Sequence, residues 1–84
     1  MTDIRFIIIG RASCPFCCMA ADLCKASGTK YVFLDYENNQ ELLEEYRTFH
    51  DHPTVPIVLS NNLETGYTFK VGGYTEMLAL IPED

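Results

Sequence analysis

Ile4-Arg5-Phe6-Ile7-Ile8-Ile9-Gly10-Arg11-Ala12-Ser13-Cys14-Pro15-Phe16-Cys17 is the stretch that decides the fold. Its first part, Ile4–Ile9, is a near-continuous apolar run of the kind that forms a strand buried on both faces. Its end is two cysteines with a proline and one other residue between them. Pro15 suits the first position of a helix, where a missing N–H costs nothing and the fixed φ is already helical. A strand therefore delivers Cys14 to the start of a helix. Cys17 follows one turn further in, within reach of the first sulfur. Free N–H groups and the positive helix end face Cys14 and favour thiolate, the nucleophilic form. Dithiol redox chemistry needs this arrangement.

Outward from this unit the chain reads β-α-β-α-β-β-α, without repeats or low-complexity linkers. The helix opened at Cys14 runs to about Ser27, and Gly28 supplies its C-terminal cap. Tyr31–Tyr36 is rich in β-branched and aromatic residues and forms a second strand. Asn38 or Asn39 caps a helix reaching about Phe49, with Leu42, Leu43, Tyr46 and Phe49 on its apolar side. Pro56–Ser60 is a third strand. Asn61-Asn62 and Gly66 mark a hairpin, and Tyr67–Val71 returns as the fourth. Gly72-Gly73 break the chain before a short helix over Thr75–Leu80, which Pro82 stops. The first two strands and their helix make a right-handed parallel βαβ unit, and the last two an antiparallel hairpin. The expected fold is α/β and thioredoxin-like: a four-stranded mixed sheet flanked by three helices, in a single domain over residues 1–84.

Composition narrows the function. Eighty-four residues hold one modest core, and an apolar fraction of 48% excludes a disordered chain. The net charge of −6 argues against nucleic acid as a partner. The basic residues Arg5, Arg11, Lys25, Lys30, Arg47 and Lys70 are scattered, and Arg11 alone lies beside the cysteine motif. No signal peptide is expected, since Phe6–Ile9 is too short for its apolar core. No run approaches a bilayer span, so no membrane association is expected either. The four cysteines crowd into residues 14–24, where a secreted disulfide scaffold would spread them along the chain. That pattern fits the reducing cytoplasm.

Cys-x-x-Cys spacing also serves zinc. The remaining candidate ligands are Cys18, Cys24, His50 and His52. Cys18 and Cys24 share the helix of Cys17 and point in different directions, so they cannot close a tetrahedron. The histidines fall where a helix is ending before Pro53. No metal site is expected.

Four segments resemble a dithiol glutaredoxin: Gly10 to Cys17, Ala20 with Asp22-Leu23, Thr54-Val55-Pro56, and Gly72-Gly73-Tyr74-Thr75-Glu76. They occur in the family's order, and the likeness is greatest to the small bacterial glutaredoxins that reduce ribonucleotide reductase. The resemblance implies a monomeric glutathione-disulfide oxidoreductase. Cys14 would be the exposed nucleophile and Cys17 the resolving thiol. Pro56 would be the family's cis-proline, turning the Val55 backbone, next to Thr54, towards the cysteinyl part of glutathione. Arg11 would hold the glycyl carboxylate, and Phe16, Gly73 and Tyr74 would line the groove. The N–H groups of Thr75 and Glu76 would take the γ-glutamyl carboxylate, and the Glu76 side chain the ligand's ammonium. Glutathione enters as co-substrate, with no permanently bound cofactor. Disulfide-bearing proteins, ribonucleotide reductase among them, are the implied partners.

Phe16 stands where many members have tyrosine, and Glu76 where aspartate is commoner. Cys18 reads as a helix residue rotated off the Cys14–Cys17 face, and Cys24 as a small buried hydrophobe. His50 and His52 read as helix-end and loop residues. Tyr74 either lines the groove or packs on the sheet. Two other functions remain open: a redoxin recharged by thioredoxin reductase, and a carrier of an iron–sulfur cluster ligated by Cys14 and glutathione. The proline after Cys14 and the second cysteine disfavour the carrier.

Overall fold

A computed structural model describes residues 4–52 and 54–81. The elements are β1 (Ile4–Gly10), α1 (Pro15–Ser27), β2 (Lys30–Asp35), α2 (Gln40–Phe49), β3 (Ile57–Asn62), β4 (Thr68–Gly72) and α3 (Tyr74–Leu80). The strands lie in the order β2-β1-β3-β4, with β1 and β2 parallel and the other two pairings antiparallel. This is the thioredoxin-like fold expected from the sequence, with three helices on a four-stranded mixed sheet.

The two central strands explain the apolar runs. Side chains alternate across a strand, so β1 feeds two cores. Phe6 and Ile8, with Val58 of β3, pack against Ala20, Leu23 and Cys24 of α1 and Met77 of α3. Ile7 and Ile9, with Ile57 and Leu59, face Leu43 and Tyr46 of α2. Ile8 is wholly buried, a contribution of roughly 2 kcal/mol from its side chain alone. β4 is an edge strand whose Thr68, Phe69 and Lys70 are exposed.

Local chemistry sets the element ends. Gly28 adopts the left-handed conformation (φ 71°) that ends α1, and the Thr29 N–H returns to the Cys24 carbonyl at 3.0 Å. Asn39, not Asn38, caps α2: its Oδ1 accepts the Leu42 N–H at 3.2 Å. Asn62 Oδ1 accepts the N–H groups of Glu64 and Thr65 and folds the β3–β4 turn. Most expected boundaries shift by one or two residues; β3 reaches Asn62, and α3 starts at Tyr74. Phe49 departs further, being 82% exposed. It lies about 20° from Leu42 around the helix axis but in the last turn of α2, where its ring meets the His50 ring edge-on with centroids 4.9 Å apart. Pro82 lies outside the described residues.

Candidate active site

Each strand end near Cys14 carries a part of the site. β1 ends at Gly10, directly beside Asp35 at the end of β2. Asp35 Oδ1 accepts the Ala12 N–H at 3.1 Å and the Glu37 N–H at 3.0 Å, while the Gly10 carbonyl accepts the Tyr36 N–H at 2.9 Å. The Cys14 N–H then turns back onto the Arg11 carbonyl at 3.1 Å. Four hydrogen bonds thus hold the loop that presents the first cysteine. Cys14 is the N-cap of α1, with extended backbone, and Pro15 occupies the first turn. The site forms where sequence-distant strand ends meet the start of a helix.

Both motif thiols are reduced, and their environments differ. Cys14 is 8% exposed, less than the resemblance implies, because the Val55 loop approaches it. Its thiol donates towards the Val55 carbonyl over 3.9 Å. Cys17 is wholly buried beneath it. Burial, then the hydrogen bond with Cys14, pushes the Cys17 thiol from 9.0 up to about 12, against opposing pulls from the Arg11 N–H and guanidinium. Cys17 is therefore a protonated thiol at neutral pH. The arrangement supplies one sulfur at a helix N-terminus, under the Val55 loop, and a second, proton-bearing sulfur behind it.

The second wall comes from the Val55-Pro56 peptide, which is cis, and from the segment before α3. Pro56 is buried, Val55 half-buried and Thr54 exposed. Arg11 is half-buried beside Cys17, close enough for its charge to act on that thiol. Phe16 is 56% exposed, and its ring centroid lies 6.0 Å from that of Tyr74. Tyr74 also packs against the α1–α3 core, so its ring joins the sheet packing as well as the aromatic pair beside the motif. Gly73 is half-buried and Thr75 exposed at the start of α3.

Glu76 makes an internal contact. Its Oε1 accepts the Gly73 N–H at 2.7 Å and caps α3. Gly72 has φ 131°, and a Cβ there would stand 2.6 Å from the same oxygen. The missing side chain of Gly72 thus makes room for Glu76 of this chain, not only for a ligand.

Two residues near the site carry no sequence signal of their own. Asp35 is one: only its register beside Gly10 marks it. His52 is the other. Its Nε2 is buried without a hydrogen-bond partner among the described residues and would lie 3.6 Å from a Cβ on Gly73. Burial, then the Lys70 charge, hold His52 below the ordinary histidine range, with Glu76 opposing. Burial and Lys70 lower His50 as well, and Lys70 Nζ donates to the His50 carbonyl at 2.8 Å. Of the remaining cysteines, Cys18 is exposed and its thiol donates to the Ala12 carbonyl at 3.2 Å. Cys24 is buried in the core, which pushes it up to about 11.

A family model for glutaredoxin matches residues 6–63, which span β1 and the cysteine motif, α1, β2, α2 and β3. The chain belongs to the glutaredoxin family. Solved structures share the fold at low identity. NrdH-redoxin from Escherichia coli, described as a glutaredoxin-like protein with a thioredoxin-like activity profile, superposes with a TM-score of 0.61 and 17% identity. That match covers 95% of this chain and 99% of the other. A glutaredoxin from Brucella melitensis gives 0.65 and 22% identity over 95% and 80% of the two chains. Glutaredoxin 1 from Francisella tularensis gives 0.57 and 20% identity over 90% of each. No curated protein sequence matches the chain. As a glutaredoxin it has the thiol oxidoreductase chemistry of its family, acting on disulfide substrates. Among the described residues no helix is long and apolar enough to cross a membrane.

Proposed function

We propose that this glutaredoxin is a glutathione-dependent dithiol oxidoreductase that reduces protein disulfides and glutathione mixed disulfides. The observation that carries the reading is the asymmetry of the pair: Cys14 at a helix N-cap, Cys17 buried and protonated against it. Cys14 attacks a substrate sulfur, forming a mixed disulfide and expelling one thiolate. Cys17 then attacks the Cys14 sulfur. The Cys14–Cys17 bond forms, the bond to substrate breaks, and the Cys17 proton goes to the departing thiolate. Once Cys14 is in a mixed disulfide, its hydrogen bond and charge no longer hold that proton, so Cys17 becomes easier to ionise at the step that needs it. Two glutathiones restore the dithiol through glutathionyl-Cys14.

Arg11, Phe16, Thr54-Val55-Pro56 and Gly73-Tyr74-Thr75-Glu76 are the proposed glutathione contacts; the approach of Cys14 to Val55 and of Phe16 to Tyr74 supports the assignment. The protein acts as a cytoplasmic monomer, with glutathione as co-substrate and ribonucleotide reductase among its disulfide partners. A second reading is a redoxin recharged by thioredoxin reductase. It is favoured by the Glu76 carboxylate, which is already engaged by Gly73, and by the full-length match to NrdH-redoxin. A coupled assay with NADPH, glutathione and glutathione reductase against a small mixed disulfide separates the two. Turnover there, and none with thioredoxin reductase, supports the first; the reverse result replaces it with the second.

A further inference from the structure

Gly10 ends β1 four residues before the nucleophile, and its position places it under the other cysteine. A Cβ built on Gly10 would collide with Cys17 Sγ and stand 3.2 Å from Cys17 Cβ. On its far side the Pro56 Cα would be 3.8 Å away. Gly10 has no positive φ, so its backbone would accept any residue; only space is at issue. The Gly10 carbonyl is held by Tyr36, and β1 is paired on both edges, so the strand cannot retreat. Any side chain here would have to be accommodated by moving the Cys17 sulfur.

We propose that Gly10 is a positioning residue for the resolving step: its missing side chain is the seat of the Cys17 sulfur, and filling that seat uncouples closure of the Cys14–Cys17 disulfide from the first attack. The inference rests on the division of roles proposed above. It does not depend on glutathione. The first attack uses the Cys14 sulfur and needs nothing from Gly10. Closure needs Cys17 Sγ aligned behind the Cys14 sulfur, and displacements of about 1 Å at such a step cost on the order of a hundredfold. A Gly10→Ala protein should therefore behave as a monothiol enzyme that still carries both cysteines.

Dithio-bis-nitrobenzoate reads the two steps separately. Attack by Cys14 forms a Cys14–nitrobenzoate mixed disulfide and releases one coloured thiolate. Attack by Cys17 forms the Cys14–Cys17 disulfide and releases the second. Both measurements use Cys18→Ser, so that the exposed third thiol does not contribute. In Gly10→Ala the first release should stay within about twofold, and the second should slow by at least about tenfold. An unchanged second release overturns the proposal. Thermal midpoints give an independent reading. Gly10→Ala should lower the midpoint, and adding Cys17→Ala, which removes the colliding sulfur, should restore most of the loss. If the double variant is as unstable as Gly10→Ala, or fails to fold, the obstruction is not the thiol and the proposal fails. Normal two-step release in a protein with no glutathione turnover would sink the glutathione reading and leave the role of Gly10 standing.

Discussion

Two buried thiols make the reduced protein lose stability in alkali, by an amount that follows from their surroundings. Burial raises Cys17 from 9.0 to about 12 and Cys24 from 9.0 to about 11. Below pH 9 both are protonated whether the chain is folded or not, so their contribution is fully present. Above pH 9 the unfolded chain releases these protons while the native state keeps them. Unfolding then gains about 1.4 kcal/mol per pH unit for each thiol, up to pH 11 for Cys24 and pH 12 for Cys17. Between pH 7 and pH 10 the two together cost roughly 3 kcal/mol, a large share of the 5–15 kcal/mol typical of a small domain. Urea unfolding under strong reductant at pH 7, 9 and 10 measures it. Cys24→Ala should remove about half of the slope. Oxidation should remove most of the rest, because a disulfide sulfur has no proton to lose. Equal slopes in the reduced wild type, the Cys24→Ala variant and the oxidised protein would refute this account of where the protons are held.

Substitutions at four residues test the site. Cys17→Ser should keep deglutathionylation, lose most activity on protein disulfides and trap a mixed disulfide visible by mass, whereas Cys14→Ser should abolish both activities. Arg11→Ala should weaken use of glutathione mixed disulfides about tenfold, the loss of one charge-assisted contact of ~1.5 kcal/mol, read as kcat/KM. Glu76→Ala should cost about 1 kcal/mol in urea unfolding through the lost Gly73 cap, and restoration by Glu76→Gln would identify the hydrogen bond rather than the charge.

The fold was legible because its strongest patterns are local. A near-continuous apolar run, a proline after a cysteine, and a glycine at residue 28 mark β1 and both ends of α1 without reference to the rest of the chain. The edges of β3, β4 and α3 moved because a turn residue and a strand end obey the same preferences there. Phe49 was misplaced for a different reason: the helical rotation puts it beside Leu42, but α2 ends there and its exposed ring meets His50 instead of the core. In the site, the order of the motif segments was legible, and their contacts were not. That Asp35 pins the cysteine loop, that Glu76 fills the space of Gly72, and that His52 lies against Gly73 are relations between residues brought together by the sheet or by a turn. No periodicity records them.

One helix gives four cysteines different environments by rotation and depth. Cys17, Ala20, Ala21 and Cys24 fall on one inward face and all are buried. Cys18 is turned 100° from Cys17 and reaches solvent. Cys14 precedes the helix and takes the cap position instead. The two fully buried thiols, Cys17 and Cys24, are both proton-bound, yet of the two only Cys17 has a partner sulfur, because only it lies one turn from the cap. Moving the second cysteine to position 18 would keep a thiol near the first but put it on the solvent side, where burial no longer holds its proton. The direction of the reaction, attack from outside and closure from inside, thus follows from Cys17 lying on the inward face of α1, and that face is open to a sulfur because residue 10 carries no side chain.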